Sequence, residues 1–183
     1  EACRNSETSS DIASCDSPVG TGKTTAIMAH LLAQAGRRHL RRIIVVLPFT
    51  NIIKQSVETY RKALVLRDEH PEHIVAELHH RADFQDIKSR QFTALWKAPI
   101  IVTTAVTFFE TLASNTPATL RRLHALPGSA VFIDESHAAL PAKLWPLSWD
   151  WIKRFASEWR CYWFMASGSL NRFWNIKGVV ETT

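Results

Sequence analysis

The sequence predicts an α/β domain of three layers, with helices covering both faces of a mostly parallel central sheet. Three observations predict it. Apolar runs alternate with stretches of helical spacing along nearly the whole chain, the order that successive βα units leave in a sequence. The small-residue stretch Ser17-Pro18-Val19-Gly20-Thr21-Gly22-Lys23-Thr24-Thr25 separates the first candidate strand from the first candidate helix. The acidic pair Asp134-Glu135 directly follows the apolar run Ala130-Val131-Phe132-Ile133.

Composition bounds the possibilities. At 183 residues, 46% hydrophobic and 21% charged, the chain has the size and make-up of one soluble globular domain with a proper core. Its net charge of +5 is compatible with a polyanionic partner without pointing to one. No apolar run approaches the roughly 18 residues of a membrane-spanning helix, so no membrane partner is expected, and the first residues lack the order of a signal peptide. Cys3, Cys15 and Cys161 are an odd count without paired metal spacing, which predicts free thiols and a cytoplasmic location; a Cys3–Cys15 pair is the alternative.

Taken in order, residues 1–11 are polar and serine-rich and read as a frayed or displaced end, leaving 12–183 as the domain. Only Ile12-Ala13-Ser14-Cys15 can serve as the strand before the glycine-containing stretch, and it is short and weakly apolar. A helix is expected from Thr24 to Ala35, with Gly36 as its stop. The basic run Arg37-Arg38-His39-Leu40-Arg41-Arg42 reads either as a solvated loop or as a contact to a phosphate backbone. Residues 43–47 form a continuous apolar run, as in a strand covered on both faces. Helical spacing over 52–66 then puts Ile53, Val57, Tyr60 and Leu64 on one side. Strands over 74–78, 100–104, 130–133 and 161–166 follow, with helices over 86–96, 105–113, 117–125 and 144–159. His79-His80 reads as a polar strand end rather than a metal pair, because strand neighbours point to opposite faces. The seven tryptophans read as core rather than as base-stacking platforms.

The chemistry lies at the ends of the apolar runs. Ser17 to Thr25 matches the phosphate loop G-x-x-x-x-G-K-[ST] at every fixed position but the first, where Ser17 replaces Gly. Small residues at Gly20 and Gly22 let backbone N–H groups surround a phosphate chain, and the helix that follows points its positive end at the same anion. Lys23 then reaches the β- and γ-phosphates of a nucleoside triphosphate, and the Thr24 hydroxyl holds Mg²⁺. Asp134 is placed to hold the same magnesium through a water, and Glu135 to orient or deprotonate the water that attacks the γ-phosphate. In a parallel α/β sheet ligands bind at the carboxyl ends of the strands. Thr50, Thr103-Thr104, Asp134-Glu135 and Ser167 to Ser169 each follow an apolar run.

Asp134-Glu135-Ser136-His137 resembles the D-E-x-H box of superfamily 2 helicases, a group in which Ser in place of the first loop glycine is frequent. Within it, three further stretches resemble the helicase core of the CRISPR-associated helicase–nuclease of type I systems: Leu47-Pro48-Phe49-Thr50-Asn51-Ile52-Ile53-Lys54-Gln55, Glu77-Leu78-His79-His80, and Ala98-Pro99-Ile100-Ile101-Val102-Thr103-Thr104 with Phe108-Phe109-Glu110. The similarity runs from about Asp16 to Leu170. It implies a RecA-like P-loop NTPase domain, the first of two, that uses ATP and Mg²⁺. It also implies that Thr50, Thr103 and Thr104 touch the backbone of single-stranded DNA tracked 3′ to 5′. By the same resemblance His137 links the nucleotide to that strand, while Ser167 and Ser169 correspond to the S-A-T motif that couples hydrolysis to unwinding. Gly168 stands for the Ala of that motif and Ser169 for its Thr, which keeps the hydroxyls and puts the tightness of coupling in question. The implied partners are a second RecA-like domain, a nuclease domain and a CRISPR RNA-guided surveillance complex. No His-Asp dipeptide of the nuclease occurs here. An arginine finger from the second domain is worth about 10³–10⁵ in rate in a GTPase setting, so the chain alone is expected to hydrolyse ATP poorly. The alternatives are another superfamily 2 motor, an RNA helicase or a restriction translocase, and a nucleotide-binding switch that does not turn over.

Overall fold

The computed structural model describes residues 10–16, 23–66, 69–78, 96–139 and 141–167, with the backbone alone at Asp16, Lys23, Ala118 and Ser167. The expectations for residues 1–9, for the loop 17–22, for His79, His80 and the helix over 86–96 up to Trp96, and for Gly168 and Ser169 fall outside these residues.

The described strands are β1 (Ile12–Asp16), β2 (Arg42–Leu47), β3 (Val75–Leu78), β4 (Ile100–Thr104), β5 (Ser129–Ile133) and β6 (Tyr162–Ser167). They form one sheet in the order β1-β6-β5-β2-β4-β3, and every described pairing is parallel. The helices are α1 (Lys23–Arg38), α2 (Asn51–Leu64), α3 (Pro71–Ile74), α4 (Ala105–Ala113), α5 (Pro117–Leu120), α6 (Ser136–Ala139) and α7 (Trp145–Trp159).

Alternation along the strands sorts the core into two sides. Ile43, Val45 and Leu47 of β2 pack with Ile27 and Leu31 of α1 and with Ile53, Val57 and Tyr60 of α2. Ile44 and Val46 point the other way, into a cluster that holds Phe108 of α4 and Ile152 and Ala156 of α7. The three-layer architecture expected from the sequence is therefore present. Strands β2, β4 and β5 are buried along their length apart from Arg42, which explains why they read as continuous apolar runs. Two tryptophans confirm their core reading: Trp96 and Trp163 are fully buried, and Phe108 stacks on the first at 6.1 Å and meets the second edge-on.

Two local expectations need correction, whereas the weakly apolar stretch expected as the strand before residue 17 is one, β1, at the end of the described strand order, where Ser14 is exposed and Ile12 and Ala13 only half-buried. Its composition follows from that position. Helix α1 does not stop at Gly36 but runs on to Arg38, and the left-handed residue that ends it is His39, at φ +53°. The Leu40 N–H closes onto the Ala35 carbonyl at 2.9 Å. Two of the six residues of the basic run are thus helical: Arg37 and Arg38 sit in the last turn, where cations complement the helix dipole. The segment over 117–125 is broken into α5 and a single 3₁₀ turn, Leu123–Ala125.

Candidate nucleotide and nucleic-acid site

Because the described strands are parallel, their carboxyl ends share one edge. Register fixes the sequence of stations along it. Asp16, where the chain leaves β1 for the phosphate loop, lies opposite Ser167 of β6. Met165 of β6 lies opposite Ile133 of β5, Ile133 opposite Val46 of β2, and Leu47 opposite Thr104 of β4. Asp16, Ser167, the acidic pair, the end of β2 and the start of α4 therefore follow one another in space, although Asp16 and Asp134 are far apart in sequence. α1 begins at Lys23 with no acidic residue in its first turn, so its positive end is uncompensated within that turn. Thr24 is half-buried and Thr25 exposed.

The acidic segment is built by the end of β5. The Asp134 N–H donates to the Val46 carbonyl at 2.9 Å, carrying the ladder one residue past the strand. The Asp134 Oδ1 accepts the Glu135 N–H at 3.1 Å. Glu135 then takes φ +44°, a left-handed conformation that costs a non-glycine residue about 1–2 kcal/mol. Its carbonyl accepts from the N–H groups of Ala138 and Ala139, at 2.7 and 3.1 Å, which starts the single turn of α6. That turn brings His137 Nδ1 to 3.5 Å from Glu135 Oε2. Both side chains are part-exposed, 36% for His137 and 25% for Glu135, so water reaches the carboxylate. Among the described residues, three other non-glycine residues have positive φ, namely His39, Trp96 and Arg160. Each lies ahead of the amino end of a strand; Glu135 follows a carboxyl end.

The donor set fits magnesium held with phosphate oxygens. The Thr24 hydroxyl and Asp134 carboxylate are hard oxygen ligands, and Mg²⁺ is usually bound by one or two carboxylates together with the substrate's phosphates. Among the described residues no group of three or more His, Cys, Asp and Glu side chains could hold a metal alone. One residue near the acids enters the sequence reading only as part of one side of the helical spacing over 52–66. Tyr60 of α2 is buried, and its hydroxyl is pushed well above the ordinary range, first by burial and then by the Asp134 charge. A phenol within an otherwise apolar stripe was the only hint.

The three threonines expected at a nucleic-acid backbone part company. Thr103 is fully buried, and its hydroxyl donates to the Leu78 carbonyl at 2.8 Å. Thr104, also buried, donates to Thr107 Oγ1 at 2.9 Å and accepts the Thr107 N–H at 3.1 Å, capping α4. Thr50 is exposed and makes no side-chain cap bond to α2. It borders an open cleft with Pro48, Phe49, Asn51, Thr104 and Val106. Ser167 ends β6, with its side chain outside the description.

The Cys161 thiol serves the fold: it is buried, which pushes its pKa up, and it donates to the Leu126 carbonyl. No described helix is long and apolar enough to cross a membrane.

The profile of the DEAD/DEAH box helicase family matches residues 2–160. Comparison with individual curated proteins returns no match. Among solved structures, the helicase domain of Pyrococcus furiosus Hef aligns with a TM-score of 0.60 at 20% identity, over 91% of this chain and 31% of its own. The DEAD-box helicase Mss116 bound to ssRNA and UDP-BeF gives 0.58 at 14% identity, over 93% and 34%. The DUF1998 helicase MrfA bound to DNA gives 0.57 at 11%, over 87% and 21%. At these identities the likeness is one of fold. The chain spans about a third or less of each of these structures.

Proposed function

The chain belongs to the DEAD/DEAH box helicase family, and from that premise we propose that it couples Mg-ATP hydrolysis to movement along single-stranded DNA. The observation that supports this reading is the shared carboxyl edge, where the phosphate-loop end of β1 and the acidic end of β5 are separated by β6 alone. Lys23 and the first turn of α1 neutralise the triphosphate. Thr24 and Asp134 hold the metal. Mg-ATP supplies the phosphoryl group that water accepts. Glu135 takes the proton of that water at its carboxylate, and His137, 3.5 Å away, orients it. Ser167 and Ser169, at and beyond the end of β6, link the nucleotide side of the edge to the Thr50 side. Thr50 meets the strand backbone directly. Thr103 and Thr104, whose hydroxyls bond within the fold, shape the surface beside it.

The wording around Pro48 to Gln55 and around Thr103-Thr104 supports a narrower reading. In it the chain is the first RecA-like domain of a type I CRISPR-associated helicase–nuclease, working in the cytoplasm with a second RecA-like domain, a nuclease domain and an RNA-guided surveillance complex. A second reading, an RNA motor, is favoured by the similarity to Mss116, which was solved with ssRNA.

The test is ATP hydrolysis by the longest natural form of the chain, with single-stranded DNA, with single-stranded RNA and with neither, beside Lys23→Ala. Stimulation by DNA that disappears in the variant is the expected result. Greater stimulation by RNA replaces the DNA reading with the RNA motor. Bound nucleotide without turnover under any condition replaces both with a switch.

A further inference from the structure

Four of the seven exposed large apolar side chains among the described residues fall along one strip: Phe49, Val106, Leu144 and Leu147. Val106 joins two depressions. One is the open cleft that it shares with Phe49, Thr50 and Thr104; the other is a groove between α4 and α7 that it shares with Phe109, Leu147 and Trp151. Single exposed apolar residues are ordinary surface, but a row of them is a contact face.

The two ends of the strip differ in chemistry. The α4–α7 end is walled largely by aliphatic and aromatic groups. At the other end the Phe49 side chain, 59% exposed, stands beside the exposed Thr50 and Asn51. The first turn of α2 carries no acid, and Lys54 of that turn is exposed. An apolar ring next to hydroxyl, amide and ammonium groups is the complement of an unpaired nucleotide, which carries a flat base one sugar away from a phosphate.

We propose that Phe49 is a stacking platform for an unpaired nucleobase, held between its ring and Val106. This rests on the nucleic-acid reading of Thr50 given above and adds the base to the backbone contact. A phenyl face stacks on any base, so the contact grips the strand without reading its sequence, as a motor moving along arbitrary sequence requires.

The experiment compares fluorescence anisotropy of labelled oligothymidine (or oligouridine) and of an abasic strand of equal length, binding to the longest natural form of the chain. Wild type is expected to hold the base-bearing strand more tightly than the abasic one. Phe49→Ala is expected to weaken the base-bearing strand about tenfold and leave the abasic strand unchanged, while Phe49→Trp restores the difference. Thr50→Val is expected to weaken both. A melting curve for Phe49→Ala that overlays wild type shows that the fold is not the cause. Unchanged binding of both strands by Phe49→Ala overturns the inference and returns the ring to a protein partner. Equal losses on both strands overturn it in favour of a backbone role. If wild type binds neither strand, in DNA or RNA form, the nucleic-acid reading itself fails and takes the platform with it.

Discussion

At the amino edge of the sheet, Arg38 is held from several sides at once. It pairs with Asp11, donates to the Ser10 carbonyl at 2.8 Å and to Gln34 at 3.0 Å, and lies 4.7 Å from the centre of the Tyr162 ring. Tyr162 in turn bonds the buried His30 at 2.8 Å. At the carboxyl edge, Glu135 sits in a left-handed conformation with His137 at 3.5 Å and water within reach. Polar groups at the first edge join the ends of α1, β1 and β6 to one another. At the second, Glu135 is strained and, like His137, part-exposed, while Thr103 and Thr104 are buried and bonded within the fold. The proposed chemistry and the Arg38 network sit at opposite ends of the same strands, so the two can be perturbed separately.

The sharpest way to break this contrast is Glu135→Gln. Turnover by the longest natural form of the chain should fall about 10²–10⁴-fold, with nucleotide still bound and the melting temperature unchanged. A variant that melts early would show that the acidic edge also holds the fold together. Next is Arg38→Ala, which should lower unfolding stability by about 1–2 kcal/mol in denaturant titration and leave turnover alone. Little of that comes from the ion pair, since Asp11 is half exposed and solvent screens it. Loss of turnover at native stability would place Arg38 in the chemistry after all. The smallest change, Thr104→Ala, sharpens the comparison because this residue lies at the carboxyl edge yet is buried. Removing the α4 cap should cost about 1 kcal/mol, recovered by Thr104→Ser. If nucleic-acid-stimulated turnover falls in both Thr104 variants while stability recovers in the serine one, the methyl-bearing side chain touches the strand.

Much of this was legible in the chain because buried parallel strands must be continuously apolar. Strands β2, β4 and β5 fell within a residue of their expected bounds, and α4 matched its expected span of 105–113. What could not be read depends on neighbours. Gly36 looks like a helix stop in isolation, but a glycine in a helix only weakens it, and here Leu40 closes back onto Ala35 over the top of it. Ile12 to Cys15 reads as a short, weakly apolar strand, and the sequence does not say that this strand ends the described strand order, which its composition reflects. The site divides in the same way. Asp134 and Glu135 were named by an apolar run and a spacing, both local. The inward commitment of Thr103 and Thr104 depends on Leu78 and Thr107, and only the fold brings the first of these near.

The pairing of β1 with β6 sets the timing of assembly. Ile12 lies opposite Trp163 and Asp16 opposite Ser167, so the first of the described strands finds its described neighbour in the last of them. Ordering the intervening chain must precede any return from that contact, which makes it a slow and late one. Residues 17–22 follow β1 directly in the sequence. A ribosome-bound chain that has not yet released Tyr162 to Ser167 thus has Asp134 and Glu135 at the end of β5, while β1 lacks its described neighbour. A ligand that binds only the completed domain stabilises that state alone. Under the proposed function, a nucleotide would then report on maturation, gripped once β6 has docked.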